Sequence, residues 1–82
     1  MRSKGESNIM DYMQGVSLSN LKKGSRGADV RLAQVLLNYK GFDCGSVDGI
    51  YGSKTEKAVM EFTNYKTNEI NFDVWYKLLS NL

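Results

Sequence analysis

Between Val30 and Tyr39 the apolar residues recur at helical spacing but on two sides of the wheel. Val30, Ala33 and Leu37 make one stripe, and Leu32, Val35, Leu36 and Tyr39 make a second, nearly opposite. A surface helix normally carries one stripe. The pattern therefore predicts a long first helix with two neighbours, or with one neighbour and an exposed patch. Asp29 stands in its first turn, where a negative charge suits the helix dipole, and Gly41 is placed to end it after Lys40. A second helix is expected over about 54–66, with Ala58, Val59, Phe62 and Tyr65 inward. Thr67-Asn68-Glu69 break it, and Asn71 is placed to cap a third helix. There Phe72, Trp75, Tyr76 and Leu79 form one face and Val74 and Leu78 a flank. Ahead of these, Ile9, Tyr12, Met13 and Val16 fall at i, i+3, i+4 and i+7, a segment too short to be stable without a docking surface. No run alternates over a strand length. The expected class is all-α: a small three-helix bundle with a short additional N-terminal helix or ordered segment. The expected division is 1–17 for that segment and 18–82 for the bundle.

The densest stretch is Val47-Asp48-Gly49-Ile50-Tyr51-Gly52, followed by Ser53-Lys54-Thr55-Glu56. Asp48 before Gly49 and Gly52 describes a tight turn, because Asp can bond the backbone ahead of it and glycine tolerates positive φ. Ser53 with Glu56 three residues later fits a capping box. The stretches from Gly24, from Gly49 and from Ile70 each read as a loop anchor followed by a helix, an internal repeat.

Composition removes several chemistries. The 82 residues include no His and no Pro, so the commonest general base and zinc ligand is missing. Cys44 is the only cysteine and can form neither an internal disulfide nor a thiolate cluster. Read as a calcium loop around Gly49, the turn supplies one carboxylate where several are needed. Asp43 and Asp48 lack a nucleophile or oxyanion donor to work with. The expectation is no catalytic residue, no metal and no cofactor. The net charge of +2 is too balanced to argue for nucleic acid, although Lys22, Lys23, Arg26 and Arg31 form a mild basic patch. No apolar run is long enough for a membrane span or a signal-peptide core.

Taken together, Leu21-x-x-Gly24-Ser25-x-Gly27-x-Asp29-Val30-x-x-Ala33-Gln34-x-x-Leu37, then Gly41-Phe42, then Val47-Asp48-Gly49-Ile50-Tyr51-Gly52-x-x-Thr55-Glu56-x-Ala58-Val59-x-x-Phe62 resembles the three-helix peptidoglycan-binding domain of bacterial and phage cell-wall hydrolases. The resemblance covers about residues 18–80. The sequence departs from the pattern at Ala33, Ser53 and Thr63, and a second Asp-Gly turn is reduced to Asn68-Glu69-Ile70-Asn71. It implies a non-catalytic module that binds peptidoglycan and targets a linked lytic domain, such as that of an endolysin or amidase. Action would be at the cell wall, outside the membrane, with the chain phage-encoded or exported with a parent protein. The alternative is a protein-interaction or oligomerisation domain of the same fold.

Peptidoglycan offers apolar sugar faces, which suit aromatic rings, and stem-peptide carboxylates and amides, which suit basic and hydroxyl side chains and helix N-termini. The expected ligand groove is therefore Arg26, Tyr51, Ser53, Thr55 and Trp75, with Asp48, Gly49 and Gly52 as turn scaffold. Arg26→Ala and Tyr51→Ala are each expected to weaken binding with little effect on melting. The second stripe of the first helix is expected to receive Ile9, Met13 and Val16, or else to serve as a homodimer contact.

Overall fold

The computed structural model describes residues 15–80. Three helices follow one another: α1 (Ala28–Tyr39), α2 (Ser53–Phe62) and α3 (Phe72–Leu79). No strand occurs among the described residues, and the fold is the all-α bundle that the periodicity predicts. Helix α1 is the centre. Val30, Leu32, Ala33, Gln34, Leu36 and Leu37 are all buried on it, so both of its stripes have neighbours, α2 on one side and α3 on the other. Only Tyr39 remains largely exposed on the second stripe. The homodimer contact expected there lacks its surface, because the chain covers Leu32 and Leu36 itself. Val16 and Leu18 pack against the same core; Ile9, Tyr12 and Met13 lie outside the described residues.

The loops are joined by backbone pairing rather than laid separately over the helix ends. Leu21 and Ile70 exchange both N–H···O bonds at 2.8 Å. Arg26 and Ile50 form a second antiparallel bridge, flanked by Tyr51 N–H to Ser25 O and Gly24 N–H to Tyr51 O, both at 2.9 Å. The three loop–helix units expected from the repeat are thus stitched anchor to anchor.

Helix ends follow local chemistry. Gly41, at φ +92, ends α1 in a Schellman arrangement, with Phe42 N–H on Leu37 O at 2.8 Å and Gly41 N–H on Asn38 O at 3.0 Å. Asn71 caps α3 as expected, its side chain accepting from Val74 N–H at 3.0 Å. Helix α2 stops at Phe62, four residues earlier than expected. Asn64 takes the left-handed position that glycine holds after α1, and Tyr65 follows it there, at φ 57 and 65. Tyr65 consequently points to solvent, not inward. Phe62 instead packs edge-on against Phe42, with centroids 5.3 Å apart.

Two further expectations are corrected. Gly52 is the N-cap of α2 and no side-chain cap bond forms, so Ser53 and Glu56 do not make a capping box. Ser53 lies one residue too far along to cap. Glu56 accepts instead from Asn68 Nδ2 at 3.0 Å. On α3 the expected face splits: Trp75 is buried together with the flank residues Val74 and Leu78 and Leu79 packs on the core, while Phe72 and Tyr76 are 73% and 68% exposed.

Candidate functional site

Gln34 organises the region around the Asp48–Gly52 turn. Its side chain is buried on α1, yet every polar atom on it has a partner. Oε1 accepts from Gly49 N–H at 2.9 Å. Nε2 lies 3.1 Å from Asp48 Oδ1, 3.0 Å from Ile50 O and 3.0 Å from Thr55 Oγ1. One amide thus fastens α1 to both the turn and the start of α2. A lost partner for such a buried group costs about 1–3 kcal/mol.

Asp48 completes the turn as an Asx motif, accepting from Ile50 N–H at 3.0 Å. That bond, followed by the one from Gln34, holds its carboxyl below the usual aspartate value. Gly49 sits at φ +76, and an added Cβ there would meet Gly27 O at 3.3 Å and the Arg31 side chain at 3.4 Å. Gly52 is different. Its φ of −107 is ordinary and the space beside it is open.

Beside this turn lies an open cleft of about 380 Å³, lined by residues of the 44–50 loop together with Gln34, Gly52, Ser53, Lys54 and Thr55. Its walls are mixed. Ser46, Asp48, Ser53 and Lys54 are exposed polar residues at its edge, and α2 starts there without a side-chain cap. The Lys54 chain leans back over Gly45, its Cδ 3.1 Å from where a Cβ would stand. A cation, hydroxyls and the N–H groups of a helix start suit a carboxylate or an amide carbonyl. Asp48 can receive an N–H group.

The residues expected to form the groove separate. Ser53 lines the cleft, and Thr55 lines it while keeping its hydroxyl on Gln34. Arg26 is exposed and reaches the area through its backbone bridge to Ile50. Tyr51 and Trp75 are each 1% exposed and act as internal ties. The Tyr51 hydroxyl donates to Asn68 O at 2.5 Å, and burial pushes its pKa well above the ordinary phenol range. Trp75 Nε1–H donates to Ser19 O at 2.7 Å. An aromatic platform built from these two rings is therefore absent from the surface.

Gln34 and Lys54 are the members that sequence reasoning missed. Gln34 shares a stripe with Val30 and Leu37, and a polar residue on a buried stripe signals a bonded group. Lys54 opposes the helix dipole in the first turn of α2, which is itself a signal. Cys44, buried with its S–H toward Gln34 O at 3.3 Å, has its thiol pushed up to about 11 by burial and is unsuited to nucleophilic work. Among the described residues no acidic, His or Cys group could hold a metal ion, and no helix is long and apolar enough to cross a membrane.

Residues 26–63 match the family described as "Putative peptidoglycan binding domain". A peptidoglycan-binding protein from Clostridioides difficile, solved in complex with glutamine hydroxamate, superposes with a TM-score of 0.67 at 32% identity, over 74% of this chain and 40% of that one. The chain thus spans well under half of that protein's length. The SleB N-terminal domain superposes with a TM-score of 0.70 at 28% identity, over 79% of this chain and 94% of that domain. The segment 26–63 is thus similar to the peptidoglycan-binding domain family, and the chain shares its fold with both neighbours.

Proposed function

We propose that this chain is a non-catalytic cell-wall-binding module, and that the cleft at the start of α2 receives a stem-peptide carboxylate or amide of peptidoglycan. One observation carries the reading: every residue lining the cleft falls inside the family-matched segment 26–63. Lys54 supplies the charge, Ser53 and the first N–H groups of α2 supply directed donors, and Arg26 extends the basic flank. In a longer parent protein the module would raise the local concentration of a linked lytic domain at its polymer. The interaction-domain alternative relied on the apolar stripe of α1, which is internal.

Pull-down with purified sacculi tests the cleft. Arg26→Ala, Ser53→Ala and Lys54→Glu alter exposed side chains and are expected to leave melting within a few degrees of the parent. Lys54→Glu is expected to release most of the bound protein, and the two alanine variants less. If all three bind as the parent does, the ligand sits elsewhere on the domain.

A further inference from the structure

A second depression runs along α3, about 260 Å³ and bounded by Leu18, Phe72, Trp75, Tyr76, Leu79 and Ser80. Its wall is almost wholly carbon. The Ser80 hydroxyl, the polar side chain among these six apart from the rims of Trp75 and Tyr76, donates to Tyr76 O at 2.7 Å. A sugar would bring several hydroxyls into this wall with few partners to meet them, at a cost. An apolar side chain would bring none.

The chain itself leads into this groove. Residues 1–14 precede the described structure; Gly15 lies beside Ala28 at the start of α1, and the chain reaches the groove's edge at Leu18. Val16 and Leu18 pack on the core, and Leu18 lines the groove. Asp29 fixes that entry point, accepting from Ser17 N–H and Ser19 N–H at 2.9 Å each. Residues 9–14 carry Ile9, Tyr12 and Met13 at i, i+3 and i+4, and Gly15, at φ +76, turns the chain before Val16. As a helix those six residues would span about 9 Å, enough to lie along two turns of α3. Phe72 and Tyr76, one turn apart and exposed, are the aromatics that such a segment would cover.

We propose that the groove along α3 is the docking site of the Ile9–Val16 segment of the same chain, with Ile9 and Met13 seated against Phe72, Tyr76 and Leu79. This places the segment on α3 and not on the second stripe of α1, where the periodicity alone had put it.

A nitroxide attached through Asp11→Cys, on the polar side of the segment, tests the placement in the otherwise intact chain; buried Cys44 resists labelling. In 1H–15N spectra the backbone amides of Phe72–Ser80 are expected to lose most of their intensity until ascorbate reduces the label. Tyr76→Ser, at an exposed position, is expected to restore that intensity while the α1 and α2 shifts stay in place. No broadening on α3, or broadening centred on α2, overturns the proposal. So does broadening seen only when spin-labelled chains are mixed with separate 15N-labelled chains, which would give the groove to a second copy.

Discussion

Gln34 and Gly49 meet where α1 passes behind the turn, the Gly49 N–H donating to the Gln34 side-chain oxygen at 2.9 Å. The bond joins the residue that needs left-handed backbone to the residue that leaves no buried polar atom unpaired. Gln34→Leu keeps the volume but strands the Gly49 donor and the acceptors of Ile50 and Thr55. We expect a loss of about 2–4 kcal/mol, read as a fall in Tm of more than about 10 °C. In the same variant the NMR titration midpoint of Asp48 should rise toward the ordinary value, because one of the bonds lowering it is gone.

The two glycines of the turn should behave oppositely. Gly49→Ala places a Cβ against Gly27 O in left-handed backbone, at a cost of about 1–2 kcal/mol. Gly52→Asp has open space and offers α2 the side-chain cap it lacks. Thermal melts should show the second variant stable to within about 1 kcal/mol of the parent, or better. Its sacculus binding should nevertheless fall, since the new carboxylate occupies the donors assigned to the ligand.

Tyr51 separates stability from binding. Tyr51→Phe removes only the bond to Asn68 O and should cost about 0.5–1.5 kcal/mol. Tyr51→Ala empties a buried aromatic site and should cost about 3–5 kcal/mol. Denaturant titration reads both. A Tyr51→Ala variant that melts like the parent would contradict the burial of the ring.

Acid should loosen the fold through Asp29 and Asp48. Burial raises the Asp29 value, but the Ser19 hydroxyl and the N–H groups of Ser19 and Ser17 outweigh it and leave the carboxyl below its ordinary value. Asp48 is lowered by Ile50 N–H and Gln34. A depressed carboxyl contributes stability above its unfolded value of about 3.9 and loses it as pH falls through the folded value. Tm should therefore stay level down to about pH 5 and drop below about pH 4. Asp29→Asn should lower Tm at pH 7 and flatten the acid limb.

The class, the order of elements and the two-sidedness of α1 were legible because ten residues of continuous periodicity define a wheel well. The eight residues of α3 do not. Two neighbouring stripes compete there, and aromatic size favoured Phe72 and Tyr76, while the core selected Val74 and Leu78 because the Trp75 indole anchors the helix to Ser19 O. The end of α2 was obscured because Asn64 and Tyr65 adopt a conformation usually left to glycine. The turn was legible in Asp48 and Gly49. Which aromatics face solvent was not, since burial of Tyr51 depends on Asn68, seventeen residues away.

The anchor-to-anchor stitching of the loops has a kinetic consequence. Helical bundles usually fold fast because their contacts are local. Here Leu21 must find Ile70 and Arg26 must find Ile50 before α1 can be enclosed on both sides, and closing such spans costs chain entropy first. The domain should refold more slowly than a simple bundle of its size. In stopped-flow refolding, Ile70→Val should slow the folding limb of the chevron, whereas Phe62→Leu at the distal end of α2 should act mainly on unfolding. If Ile70→Val changes only the unfolding limb, the pairing of the loops follows the rate-limiting step.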